Sequence, residues 1–115
     1  MEAEKDLFGK CPYMTAQKVL SGKWSIMILY HLGKKTMRFG ELQRQLPDLT
    51  QSTLTKQLRA LEENGLIERK IYPQVPPKVE YSLSDIGIKF KKVLVELAIW
   101  GGEYIETLKD KADRP

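Results

Sequence analysis

Ser52, Lys56, Arg59 and Glu63 recur at three- and four-residue spacing in the stretch from Leu49 to Leu66. Wound at about 100° per residue, they fall on one side of a helix, led by Gln51 and flanked by Thr53 and Thr55. Long neutral or cationic side chains of this kind donate to phosphates and to base edges in a major groove. The acids Glu62 and Glu63 are confined to the far end. An ordinary solvated helix face has a similar composition, so this face alone leaves both readings open. Two other reactive side chains occur once each, Cys11 and His31. With no cysteine or acid at ligand spacing around His31, a metal site is not expected, and the histidine reads as structural, near a helix end where the dipole favours a cation. There is no glycine-flanked serine elbow with a second base and no phosphate-cradling glycine loop, so neither an enzyme nor a cofactor is expected.

The elements that must position these residues follow from local pattern. Thr50 is suited to cap the helix, Leu54, Leu58 and Leu61 form its apolar stripe, and Gly65 supplies a left-handed residue after its end. Upstream, Glu41 to Leu46 is a short helical pattern halted by Pro47. The two helices joined through Asp48-Leu49 have the plan of a helix-turn-helix, with Phe39, Leu42 and Leu46 locking onto Leu54 and Leu58. Arg38, just before the first of the pair, is a further candidate for a DNA contact. After Gly65 the period becomes alternating: Ile67 and Ile71 share one side, and Val79, Tyr81 and Leu83 alternate with Lys78, Glu80 and Ser82. These are two strands of a hairpin, and Pro73-Gln74-Val75-Pro76-Pro77 makes a stiff projecting tip. As a wing, the hairpin brings Lys70, Gln74 and Lys78 to a phosphate or a minor groove; a hairpin that only covers the core is the plainer alternative.

Cys11 at a cap position and Pro12 at the first helical position open a helix that runs to about Leu20. A second helix, Lys23 to Leu32, is apolar nearly all round and is expected at the buried centre, closed by Gly33 as a left-handed cap. Ser84 is expected to cap a long closing helix, interrupted or bent around Gly101-Gly102. Its Ile86, Phe90, Val93, Leu94, Leu97, Trp100, Ile105 and Leu108 exceed what a small core can cover. A two-fold dimer that also uses Met14 and Val19 would bury them. Trp24, Tyr30 and Trp100 are expected to fill interior space before they line any ligand pocket. The fold class is therefore mainly α with a small antiparallel β-hairpin, a winged helix-turn-helix with a C-terminal dimerisation helix.

Composition agrees with a single domain over residues 1–115. About 34–83 is expected to form the DNA-binding core and wing, and about 11–22 and 84–111 the dimerisation elements. The 115 residues are 42% hydrophobic and 30% charged, an ordinary globular balance. The net charge is only +4, but residues 34–78 hold nine basic against five acidic residues and so carry all of it, while the flanks cancel. A basic centre between neutral arms suits a DNA face on a scaffold with another task. No apolar run approaches the roughly 20 residues needed to span a bilayer, and Met1–Asp6 lacks the regions of a signal peptide, so a cytoplasmic protein without a membrane partner is expected.

Cys11-Pro12, Gly22-Lys23-Trp24, Arg38-Phe39-Gly40-Glu41-Leu42, Leu54-Thr55, Leu58-Arg59, Leu61-Glu62, Gly65-Leu66-Ile67-Glu68-Arg69, and Tyr72-Pro73 with Val75 to Leu83 occur in this order. Together, over about residues 11–105, they resemble the HxlR family of bacterial winged helix-turn-helix transcriptional regulators. The resemblance implies a homodimer on a double-stranded DNA operator, with the Thr50 helix in the major groove and the hairpin as wing. Family members often carry a basic residue where Ser52 stands, so Lys56 is expected to take over part of its role. Several members use the cysteine at the Cys11 position to sense oxidants or electrophiles. A lone cysteine cannot close a disulfide within its chain, so any disulfide joins two protomers or captures a small thiol. At an N-cap beside Lys10 the thiol is expected to be more acidic and more reactive than usual; a small buried hydrophobe is the other reading. A winged-helix protein-interaction module without DNA binding is the alternative function, since fold does not fix function. Operator, sign of regulation and effector are not encoded in any motif.

Overall fold

Leu54, Leu58 and Leu61, the stripe along the Thr50 helix, are exposed by 0%, 2% and 1% respectively. Each such burial stabilises the fold by about 1.5–3 kcal/mol. Around them a computed structural model describes residues 7–114, so the Met1–Asp6 stretch read above lies outside the described residues. The elements in order are α1 Pro12–Val19, α2 Ser25–Lys34, β1 Met37–Arg38, α3 Phe39–Gln45, α4 Gln51–Glu63, β2 Ile67–Tyr72, β3 Lys78–Leu83, α5 Asp85–Lys89 and α6 Lys91–Ala112. Ile28, Leu29 and Leu32 of α2, Leu42 of α3, and Leu46 and Leu49 around the turn complete the core with Ile67 and Leu83. Phe39 packs on this cluster, so the helix-turn-helix pair is locked by the side chains expected of it.

Met37–Arg38, assigned to no element from the sequence, is a third strand. The sheet is antiparallel in the order β1-β3-β2, with Met37 opposite Tyr81 and Arg38 opposite Glu80. In the hairpin itself Ile67 pairs with Leu83, Lys70 with Glu80 and Tyr72 with Lys78. Period-two alternation then puts Met37, Ile67 and Leu83 toward the core and Arg38, Lys70, Tyr72, Lys78 and Glu80 on the outer face. Ile71 shares the inner side with Ile67 but is 57% exposed, because the hairpin there has run past the edge of the core.

Three expectations about the helices are corrected. Gly33 is not a left-handed cap: α2 continues through it to Lys34 and ends in extended backbone at Lys35, and the glycines with positive φ are Gly9 and Gly65. Nor is α2 buried all round, since Ile26, Met27 and Tyr30 are exposed on one flank. The closing helix breaks at Phe90 rather than at Gly101-Gly102. Ser84 caps the short α5, accepting at Oγ from the Gly87 amide (3.2 Å), while α6 runs unbroken for 22 residues, about 33 Å at 1.5 Å per residue.

The α5 turn is fastened to the end of α4. The Ser84 hydroxyl donates to the Gly65 carbonyl (2.5 Å) and the Ser84 amide to the Leu66 carbonyl (3.0 Å). Gly87 lies so close to that same carbonyl that any Cβ there would collide with it. The direction of α6 is thereby keyed to α4 through a few backbone contacts.

Candidate nucleic-acid interface

At the start of α4 the Thr53 amide donates to Thr50 Oγ1 (3.1 Å), and the Thr50 hydroxyl donates to Thr53 Oγ1 (2.9 Å). The cap satisfies an amide that would otherwise have no partner in the helix and fixes where the outward face begins. Gln51, Ser52, Lys56 and Arg59 are exposed along it, and with Thr50 and Thr55 they line one shallow open groove. Thr55 is half-buried and its hydroxyl donates to the Gln51 carbonyl (2.9 Å). Thr53 and Thr55, both read from the sequence as candidate contacts, thus have part of their hydrogen-bonding capacity committed inside the helix. The groove's free donors belong to Gln51, Ser52, Lys56 and Arg59. Among the described residues neither Lys56 nor Arg59 is held in an ion pair. Glu62 is instead drawn to Arg69 of β2 (3.5 Å).

The wing holds its cations differently. Lys70 Nζ and Lys78 Nζ lie 4.8 and 4.7 Å from the centroid of the Tyr72 ring. The Tyr72 hydroxyl donates to Glu80 Oε1 (2.8 Å), and Lys78 Nζ is 3.4 Å from Glu80 Oε2. The Tyr72 hydrogen bond first, then Lys78, keeps the Glu80 carboxyl ionised below the usual carboxylate range. Lys78 is therefore held in an ion pair within the wing, whereas among the described residues Lys70 is in none. Arg38 does not stand with α4. The third strand sets it in one row with Glu80 and Lys70 on the outer sheet face, and its amide donates to Glu41 Oε1 (3.0 Å). That bond, then Lys35 at 3.2 Å, holds the Glu41 carboxyl below its ordinary range. Gln74 is exposed at the tip beside a fully exposed Val75. Tyr72 and Glu80, which organise the wing cations, are absent from the candidates read in the sequence, although a correct hairpin register places both on the face of Lys70.

The remaining candidates fall elsewhere. Leu97, Trp100, Ile105 and Leu108 are exposed on α6, and Trp100 stacks on Tyr104 with centroids 5.4 Å apart. Phe90 and Leu94, expected with them, instead lie half-buried against the core of their own chain, as does Val19; Met14 is half-buried. Val93 is exposed as well, and Ile99 and Tyr104 add exposed apolar surface that the sequence reading did not include. Cys11 is half-exposed at the N-cap of α1 and its side chain makes no capping bond. His31 is buried, and burial first and Lys34 second favour its neutral form, which replaces the expected cation at the helix end. Among the described residues no three of His, Cys, Asp and Glu are grouped to hold a metal, and no helix is long and apolar enough to cross a membrane.

A family model described as HxlR-like helix-turn-helix matches residues 19–109. The uncharacterized HTH-type transcriptional regulator YdeP of Bacillus subtilis (strain 168) is 41% identical over 114 residues, covering 99% of this chain and 86% of that protein. A crystal structure of the HTH-type transcriptional regulator ytcD superposes with a TM-score of 0.79 at 44% identity, over 83% of this chain and 97% of that one. The redox regulator HypR in its reduced form superposes with a TM-score of 0.81 at 38% identity, over 86% of this chain and 98% of that one.

Proposed function

The chain belongs to the HxlR-like helix-turn-helix family of transcriptional regulators, and on that premise we propose that it binds a specific DNA operator as a homodimer. In this scheme α4 enters the major groove, with Gln51, Ser52, Lys56 and Arg59 reaching phosphates and base edges. Thr53 and Thr55 contribute what their helix bonds leave free. The wing, through Lys70, Gln74 and Lys78, and Arg38 beside it, holds the flanking backbone. The observation that carries this is the groove along α4, lined by exposed Lys56 and Arg59 with no acid among its lining residues. The second copy is seated on α6, whose exposed Leu97, Trp100, Ile105 and Leu108 form a helix with no buried residue. A two-fold pair places two copies of α4 about one DNA turn, roughly 34 Å, apart.

Anisotropy titration of the reduced protein against the DNA upstream of its own gene, beside a scrambled fragment of equal length, tests the proposal. A preference of about 10³-fold for the native fragment is expected. Equal salt-sensitive binding to both moves the operator elsewhere, and no binding at low salt moves the function to protein interaction.

Cys11 is the proposed point of regulation. HypR is described as a redox regulator, and Cys11 here is half-exposed at the N-cap of a helix that lines one cleft with the start of α6. Sγ takes one oxygen from hydrogen peroxide as the O–O bond breaks and the other oxygen leaves as water, giving a sulfenic acid; condensation with a second thiol then releases a second water and leaves a disulfide. The second thiol belongs to another protomer or to a small thiol. A Cys11→Ser protein that releases DNA under peroxide or diamide as readily as the wild type would sink this assignment.

A further inference from the structure

The cavity of about 630 Å³ between α1 and the α5–α6 segment lies apart from the α4 groove and the wing. Its size is that of a small-molecule site. Val19, Leu20, Phe90 and Val93 line it together with the buried Leu66. The ionisable side chains around it are Lys10, Lys89 and Lys92, all cationic, and no carboxylate shares the lining. Among the described residues none of the three lysines is held in an ion pair. An apolar space with charge of one sign at its margin matches a molecule with a compact apolar body and one anionic group. A cation is repelled there, and a neutral hydrocarbon leaves the lysines without a partner. We propose that this cleft is an effector site for a small carboxylate with an aromatic or short alkyl body.

Its position gives such a ligand leverage. Leu66 directly follows the Gly65 that ends α4, and its carbonyl receives the Ser84 amide (3.0 Å) and abuts Gly87. Ile86, Lys89 and Phe90 of the lining belong to the segment that turns the chain into α6. A ligand wedged between this segment and α1 acts on the joint that sets α6 relative to α4. In a dimer held through α6 it changes the separation of the two α4 helices. That coupling rests on the DNA-binding proposal above; occupancy of the cleft does not.

The test is titration of the full chain with 2-naphthoate, followed by calorimetry, beside the neutral isostere 2-naphthalenemethanol. One naphthoate is expected per chain, bound about tenfold or more tightly than the alcohol, since a charge-assisted contact is worth at least one factor of ten. Lys89→Gln with Lys92→Gln should erase most of that preference. Ala16→Phe, at an exposed position that lines the cleft, should abolish binding with an unchanged thermal midpoint. Equal binding of acid and alcohol, or naphthoate binding indifferent to these variants, overturns the site. Binding that disappears as protein concentration rises shows that a second copy fills the cleft and also overturns it. If naphthoate binds as described but leaves operator affinity unchanged, the coupling is wrong and the site stands. If no DNA is bound under any condition while naphthoate still binds, the DNA proposal fails by itself.

Discussion

Lys56 and Arg59 stand one turn apart on α4, exposed and without an acidic partner among the described residues, and share their groove with the free side chains of Gln51 and Ser52. Replacing either by alanine is expected to weaken operator binding by about 1–3 kcal/mol while circular dichroism and thermal midpoint stay as in the wild type. Lys70→Ala on the wing should act through charge, lowering the slope of log affinity against log salt by about 0.9 with little change in sequence preference. Anisotropy at several salt concentrations separates the two behaviours. Thr50→Ala removes the oxygen that receives the Thr53 amide and should lower stability by about 1 kcal/mol in urea. His31 adds a pH dependence. Its folded pKa is depressed by burial and then by Lys34, so the unfolded chain binds this proton at higher pH than the folded one. The stability it contributes is full above its ordinary value of about 6.5 and falls as the pH drops through that value. The urea midpoint of His31→Gln should accordingly fall less between pH 7.5 and 5.5 than that of the wild type. Thr50, the leucine stripe and the outward cations were legible in the sequence because cap and periodicity are set within one or two turns. The side bonds of Thr55 and the Lys70–Tyr72–Lys78–Glu80 cluster were not, because they depend on rotamer and register.

At the scale of elements, α6 carries the largest departure from the sequence pattern. Two adjacent glycines each weaken a helix by up to about 1 kcal/mol, which made a break at Gly101-Gly102 the natural expectation. The helix continues because long runs of good helix formers lie on both sides and propagation is cooperative. The chain turns instead at Phe90, whose ring packs on the core and whose amide donates to the Gly87 carbonyl (3.0 Å). No atom lies within 4 Å of a Cβ built at Gly101. Gly101→Ala should therefore raise the stability of the protein by about 0.5–1 kcal/mol, measured by thermal or urea unfolding. Gly87→Ala should do the reverse, since its Cβ meets the Leu66 carbonyl and must loosen the clasp between α5 and the end of α4. Faster hydrogen exchange at the Ser84 and Gly87 amides is the expected signature.

For the whole molecule the dimensions are 61 × 38 × 26 Å, and its longest helix, of 22 residues, has no buried side chain. A face that bears exposed Leu97, Trp100, Ile105 and Leu108 is poorly suited to remain in water. Trp100→Glu should convert the proposed dimer to a monomer of 13.3 kDa in sedimentation velocity. It should also weaken operator binding well beyond the loss from any single α4 variant, because two linked half-sites become independent.

By itself the sequence determined the helix-turn-helix, the cap and stripe of α4, the hairpin after Gly65 and the concentration of positive charge between residues 34 and 78. Each of these is carried by residues within a few positions of one another, where period, capping and turn chemistry act. Only the tertiary structure decided that Met37–Arg38 is a strand, that Arg38 stands with the wing, that α2 leaves one flank open and that the last helix breaks at Phe90. Those outcomes depend on which distant surfaces meet. A two-residue strand has no period of its own and exists through its pairing with Tyr81 and Glu80, and Phe90 turns the chain because the core is there to receive its ring and the Gly87 carbonyl its amide.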